Sequence, residues 1–307
     1  MSASAILTGA VLVLVAFILW REHKKQASTS TPGRQAKRLT LTDDAADQWL
    51  KSLPAQLEPH RLPVVRITPI AEAPATPRQS RFGGHAWWPE DLPYPTTPDG
   101  KPLHLLAQLN LDEMPSLEGY PDTGMLQFFI ANEDLMGLQF PSAGQDIVAV
   151  CTAPLGFRVV YHPEVAQEPS LLRRHDTSDE NQEVFLPVDG CYALRFEADS
   201  MLPAPTDHRF DALVEGSQDL PDETLDALYD HYSAEGCHLG GYATFTQDDP
   251  RYGQTPGDWL LLFQMDTTEG EGVHIMWGDS GVGNFFIHKD DLARRDFSRV
   301  WYNWDCC

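Results

Sequence analysis

The sequence predicts an α+β fold: a largely antiparallel β-sheet body built from an internal duplication, with a few short helices, preceded by one N-terminal transmembrane helix. Three observations predict it. Short β-branched and aromatic runs alternate with Gly- and Pro-rich punctuation. Three motifs recur in the same order at a nearly constant offset. Residues 2–20 carry no charged side chain.

The recurrence fixes the architecture. "GGHAWWPEDLP" from Gly83 aligns with "GGYATFTQDDP" from Gly240, "LLAQLN" (105–110) with "LLFQMD" (261–266), and "GMLQFFI" (124–130) with "GVGNFFI" (281–287). The offsets are 157, 156 and 157 residues. Each copy therefore supplies a Gly-Gly turn, a Leu-Leu-x-Gln strand and a Phe-Phe-Ile strand. An apolar strand set must bury one face, and two copies can bury theirs against each other about an approximate twofold. One fused body is expected, with Trp88 and Phe245 at matched core positions.

Taken in order, "SASAILTGAVLVLVAFILW" (2–20) rises about 28 Å as a helix, close to the thickness of a bilayer core. The span is assigned as residues 1–20. Arg21, Lys24, Lys25, Arg34, Lys37 and Arg38 follow it. The positive-inside rule then puts the N-terminus outside and the rest in the cytoplasm of an inner-membrane, single-pass protein. A cleaved signal peptide is the alternative, but no Ala-x-Ala site follows the apolar run. Residues 21–41 read as a basic, flexible tether. The domain, 42–307, opens with a helix over Asp43–Ser52, capped by Thr42 and ended by Pro54. Strands are predicted over 61–70, 103–111, 124–131, 145–151, 156–162 and 191–198, with polar 163–185 as loop. "PDETLDALYDHYSAE" (221–235) reads as a helix with Leu225, Leu228, Tyr229 and Tyr232 on one stripe. Strands 258–266 and 299–305 close the chain, with 283–292 as strand running into a short helical turn.

Composition bounds the function. Apolar residues make up 42% and charged residues 22%, ordinary for a globular domain, but the net charge is −23. Residues 21–70 hold nine Lys/Arg against five Asp/Glu, which leaves −27 for 71–307. So negative a body disfavours nucleic acid. It reads as a solvated acidic surface or as one that meets a basic protein. The five cysteines are scattered, with no C-x-x-C pair, and read as free thiols of a reducing compartment.

"RFGGHAWWP", "PLHLLAQLNLDEMP", "HLGGYATFTQDDPR", "WLLLFQMD", "MWGDSGVGNFFIHKDDL" and "DFSRVWYNWDC" resemble the YwqG-like family, a bacterial domain of unknown function (DUF1963), from roughly Leu62 to Cys306. The resemblance implies an α+β fold with a largely antiparallel sheet and supplies no activity. Where the family commonly places Pro after the second Gly-Gly-x, this chain has Ala243.

No catalytic set is coherent. Gly-Asp-Ser-Gly at 278–281 lacks a base and an orienting acid elsewhere and reads as a tight turn. No His-x-x-x-His spacing marks a metal, and no cofactor is called for. Asp266, Asp290 and Asp291 read as surface acids before they read as an acid–base pair. Gln108 and Gln264 are equivalent amides in apolar strands, so each needs partners: local backbone, or a ligand in a shared cleft. Arg81 and Trp87 from one half, with Tyr242, Gln247, Asp248, Arg251 and Asp279 from the other, are the candidates to line such a cleft. The leading expectation is a membrane-tethered cytoplasmic module that binds a protein or small ligand between its halves and antagonises a basic protein. Its partners are the bilayer, through 2–20, and that ligand. A hydrolase or transferase is the alternative. A third reading makes Trp301, Tyr302 and Trp304 an assembly surface.

Overall fold

Ten strands form one sheet in the order β12-β11-β8-β7-β1-β6-β2-β3-β4-β5, with antiparallel pairings throughout. The computed structural model describes residues 43–165, 185–214, 222–255 and 257–306, all within one unit, Leu41–Cys307. The predicted span (2–20) and tether (21–41) lie outside the described residues. Among the described residues no helix is long and apolar enough to cross a membrane.

The order reads alike from either end. β1 (Leu62–Ile70) and β6 (Cys191–Met201) pair along nine residues in the middle, from Leu62↔Met201 to Ile70↔Ala193. Beside β6 runs the meander β2 (Arg81–Gly83), β3 (His104–Asn110), β4 (Met125–Ile130) and β5 (Phe157–His162). Beside β1 runs its counterpart: β7 (Cys237–Gly240), β8 (Trp259–Asp266), β11 (Val282–His288) and β12 (Val300–Asp305). The short strands β9 (Thr268–Gly270) and β10 (Val273–Ile275) make a small separate hairpin.

The two meanders share hydrogen bonds, not only order. Gln108 Oε1 accepts the Trp87 N–H at 2.7 Å; Gln264 Oε1 accepts the Thr244 N–H, 157 residues further on, at 2.9 Å. Gln108 Nε2 donates to the carbonyls of Pro77 and Gln79, and Gln264 Nε2 to those of Ala234 and Gly236. Gln127 Nε2 donates to the Trp87 carbonyl and Asn284 Nδ2 to that of Thr244. The β3–β4 register shifts between Leu105 and Ala107, and the β8–β11 register between Phe285 and Phe286, opposite Leu261 and Phe263. These are the same bulge in each half.

The sheet curls over so that its two halves meet through their side chains. Six strands separate β4 from β11, about 34 Å on a flat sheet at normal strand spacing. Phe128 and Phe285 nevertheless meet with ring centroids 5.0 Å apart, and Phe157 and Tyr302 at 5.2 Å. The two halves therefore face one another across an aromatic core that also holds Phe82 and Phe263. Every residue of β4 is buried, which is why "MLQFFI" shows no apolar–polar alternation.

Two predicted elements differ. Residues 145–151 are not a strand: Asp146 caps the helix α2 (Ile147–Cys151) by accepting from the Val148 N–H at 2.9 Å, and the cap outweighs the β-branched run. The first helix, α1, does not stop before Pro54 but spans Asp43–Leu57. Its last turn carries Leu53 and Leu57 into a second core with Phe210, Val214, Leu228 and Tyr232, and that burial offsets the helix bond Pro54 removes. Trp301 and Tyr302 are buried within the chain and Trp304 donates to the Leu135 carbonyl, so the predicted assembly surface is core.

Candidate functional site

The halves diverge at the connection that enters each Gly-Gly pair. β1 reaches β2 through residues 71–80, whereas β6 reaches β7 through 202–236. The longer connection carries α3 (Phe210–Leu213) and α4 (Asp222–His231), which the second core pins against α1. It brings Asp207, His208 and Arg209 beside the loop that follows the second Gly-Gly pair.

There the chain makes one local device twice. Asp207 Oδ1 accepts from the backbone N–H of Arg209 at 3.0 Å and from its Nε at 2.8 Å. Asp249 Oδ1 accepts from the backbone N–H of Arg251 at 2.8 Å and from its Nε at 3.0 Å. The two devices interlock: Arg251 Nη2 lies 2.7 Å from Asp249 Oδ2 and 2.9 Å from Asp207 Oδ2. Asp249 also accepts from the His208 N–H, and Asp207 from the Ala243 N–H. Arg251 Nη1 donates to the Trp259 carbonyl, and its guanidinium lies 4.1 Å from the Phe286 ring centroid. The Arg209 guanidinium covers the Tyr242 ring at 4.3 Å. All four charges are buried, two of each sign. Burial alone would raise the Asp207 carboxyl, but the Arg251 and Arg209 guanidiniums hold it well below the usual range. Burial likewise opposes the Arg251 charge, and Asp207 and Asp249 more than restore it.

Above this neutralised floor opens a pocket of about 330 Å³, lined by Pro205, Thr206, Tyr229, Phe245, Thr246, Gln247, Asp248, Asp249 and Tyr252. Tyr229 and Tyr252 are each 46% exposed. The His208 ring meets Tyr252 edge-on at 6.4 Å, and its buried Nε2 has no partner among the described residues. Burial, with repulsion from Arg251, lowers the pKa of His208. Asp305 ties down the wall: its carboxylate accepts the N–H groups of Thr246 and Gln247, while burial pushes its pKa up to about 7.

The matched place in the first half has no ions. Tyr94 stands 157 residues before Arg251, and Trp88, Phe129 and Tyr94 pack edge-on at 5.3–5.7 Å, with His162 against Trp88 at 5.1 Å. Leu92 holds the position of Asp249. One frame thus carries an aromatic plug on one side and an ion-floored pocket on the other.

A family model described as "Domain of unknown function (DUF1963)" matches residues 80–306. The chain belongs to the DUF1963 family. No curated protein shows significant similarity to it. The DUF1963 match covers both meanders and the pocket. It begins after β1, although β1 pairs with both β6 and β7 and completes the sheet.

Within this DUF1963 domain the sequence-predicted residues fall into four places. Arg81, Trp87 and Gln108 belong to the first half. Arg81 is buried and donates to the carbonyls of Gln79 and Thr76, with burial lowering its pKa. Trp87 is buried with its indole edge-on to His162 at 5.2 Å. Gln108 and Gln264 share no cleft: both are fully buried in strands on opposite sides of the central pair, and both amide ends are spent on local backbone. Tyr242, Gln247, Asp248 and Arg251 do gather, with Gln247 and Asp248 on the pocket wall and Arg251 and Tyr242 beneath it. Asp279 is exposed in the turn closed by the Gly281 N–H to the Trp277 carbonyl and does not line the pocket. Asp207, Arg209 and Asp249 went unpredicted.

The acids weighed for proton transfer are separately engaged. Asp291 is held by Arg294 and Arg299, and Asp266 accepts the Gly236 N–H. Ligand atoms of Asp207, His208 and Asp249 lie within 4.8 Å of one another, the spacing of a metal site. They do not fit one, because both carboxylates are occupied by the two guanidiniums, and a cation would have to expel Arg251.

Proposed function

We propose that this DUF1963 domain is a binding module whose site is the pocket of its second half, and that the two halves descend from one duplicated unit of which only the second was opened into a site. The observation that carries this reading is the contrast between Arg251 over its buried carboxylates and Tyr94 in its plug. A buried ion network held by insertion and loop together is a rigid floor, and rigid floors preorganise recognition. Chemistry is less well supported: the Thr206 hydroxyl is spent on the Ala243 carbonyl, and His208 Nε2 pairs with no nucleophile among the described residues.

We place the module in the cytoplasm beneath the inner membrane, tethered through 2–20, on the strength of the uncharged run and the six basic residues after it. The acidic body supports a basic protein as the partner, one that binding would antagonise. The test is a photo-crosslinking residue placed in the full chain at Tyr252 or, for comparison, at Pro95, the matched position in the first half. The reading predicts a discrete adduct in cells from position 252 alone. Equal labelling from both positions, or none from 252, contradicts it.

A further inference from the structure

Asp305 ties the middle of the pocket wall to β12. The two ends of the wall are fixed elsewhere: the Thr244 N–H is held by Gln264, and Asp249 by Arg251 and the His208 N–H. Between them, the N–H groups of Thr246 and Gln247 donate to the Asp305 carboxyl at 3.4 and 3.0 Å, and Gln247 Nε2 donates to the Cys306 carbonyl at 2.6 Å. The first half is built otherwise. His162 stands opposite Met125 as Asp305 stands opposite Val282, and its Nε2 pairs with Gln127 Oε1 at 3.1 Å, to which it must donate. Asn284 takes the place of Gln127 on the face that carries Asp305, and its fully buried Oδ1 has no partner among the described residues. A proton on Asp305 returns a donor to that face.

We propose that Asp305 is a proton-operated latch on the pocket: with its proton it keeps the wall from Phe245 to Asp248 closed, and without it the wall opens to water. This rests on the pocket being the binding site, and adds what regulates access to it. The sign follows from linkage. With the wall in place, burial holds the carboxyl at about 7, against the N–H bonds from Gln247 and Thr246, which favour the ion. With the wall away, water reaches the carboxyl and its value returns to the ordinary 3.8. The closed wall binds the proton more tightly, so its advantage is complete below pH 4 and is lost as pH rises from about 4 to 7. Asp249, on the wall, raises the carboxyl further and is itself bound by Arg251, with Asp248 its neighbour. β11 presents Val282 and Asn284, and α2 packs Ile147, Val148 and Cys151 on β12, the Cys151 thiol being pushed up to about 12 by burial. The 277–281 turn meets Asp305 through the backbone of Gly281, and its Asp279 is exposed. Among the described residues none of these elements pairs Asp305 with a cation.

The experiment follows amide hydrogen exchange by NMR in the full chain in detergent at pH 6 and pH 8, with rates expressed as protection factors so that base catalysis of exchange cancels. With about 7 for the closed wall and 3.8 for the open one, opening is about tenfold more favourable at pH 8 than at pH 6, so the protection of the Thr246 and Gln247 amides is expected to fall about tenfold. Asp305→Asn keeps a carbonyl acceptor and a donor, as the neutral acid does, and its wall is expected to stay within about twofold over the same range. Unchanged protection in the parent, or an equal fall in Asp305→Asn, overturns the proposal. A second reading needs no variant: the side-chain carboxyl carbon shift of Asp305 is expected to titrate with the same midpoint as the Gln247 amide, and separate midpoints overturn the latch. Failure of the site reads differently. A wall that responds to pH with no crosslink from position 252 keeps the latch and discards the site, whereas a crosslink there with a wall indifferent to pH keeps the site and discards the latch.

Discussion

The Arg251 guanidinium lies 4.1 Å from the centre of the Phe286 ring, where the first half sets the Tyr94 ring against Phe129 at 5.7 Å. The aromatic partner is the same in both halves; one half sets a phenol edge-on against it and the other a cation. A cation there needs carboxylates beside it, because an unpaired buried charge is too costly to keep. Asp249 and Asp207 are those carboxylates, and the pocket sits on them.

Arg251→Ala should therefore destabilise the domain by about 3–5 kcal/mol, since it leaves buried Asp249 without a cation and Asp207 with Arg209 alone. That corresponds to a drop of about 6–20 °C in Tm for a body of this size. Arg251→Lys should lose a large part of the same stability, because an ammonium cannot bridge both carboxylates in a fork. Asp249→Leu combined with Arg251→Tyr copies the first half and leaves the Asp207–Arg209 pair neutral. Thermal melts should show the double variant more stable than Arg251→Ala; equal or greater loss would mean that the ion network and the aromatic plug are not alternatives at one position.

Gln108 and Gln264 carry matched roles, so Gln108→Leu and Gln264→Leu should cost alike. Each leaves one N–H and two carbonyls without their amide partner. Each should lower unfolding free energy by about 1–3 kcal/mol in denaturant titrations. A silent substitution at either site would break the equivalence.

Gly83 and Gly240 have the same left-handed backbone, with φ of 67° and 72°, but different surroundings. A Cβ on Gly83 would lie 2.3 Å from the Gly190 carbonyl oxygen, which is backbone and cannot yield cheaply. On Gly240 the nearest atom is a Leu117 methyl at 3.1 Å. Gly83→Ala should therefore be clearly the more damaging of the two by expression and melting temperature, beyond the roughly 1 kcal/mol of left-handed strain common to both.

Asp305 gives the domain a pH signature. Its folded pKa, about 7, lies above the ordinary 3.8, so the folded state binds the extra proton. Its contribution to stability is then greatest below pH 4 and falls as pH rises from about 4 to 7, levelling off above. His162 and His238, which burial pushes down to about 4, act the opposite way: they cost stability as pH falls through 6.5 towards 4. The difference between the parent and Asp305→Asn isolates the acid. The stability of the parent relative to Asp305→Asn should decline between pH 5 and 7; a difference that is flat or rises over that window would contradict the raised carboxyl.

Much of the frame was legible because it is periodic and repeated. The Gly-Gly pairs, the Leu-Leu-x-Gln strands and the Phe-Phe-Ile strands occupy matched positions, and the two glutamines announced their need for partners by lying within apolar runs. The short strands β2 and β7 were hidden inside the Gly-Gly motif, too brief to show a period. The pocket was only half legible. Aligning the repeats on Asp-x-Pro draws attention to Asp248, which matches Asp91, and away from Asp249, whose counterpart is Leu92. The missed signal is the spacing Asp-x-Arg, present as Asp207-His208-Arg209 and as Asp249-Pro250-Arg251. An aspartate two residues before an arginine can accept from both its backbone and its side chain, and two such turns can neutralise each other. That they meet is a tertiary fact, set by a connection whose length gave no hint of where it would lie.

The most direct measurement is a map of amide chemical shifts in the full chain as tetralysine peptide is added. The account predicts shifts that saturate together at Thr206, Asp211, Tyr229, Gln247, Asp248 and Tyr252, with His85–Leu92 in the matched half unmoved. Shifts centred on Trp88 and Asp91, or scattered evenly over the acidic surface, would show that the second half was not the one opened for binding.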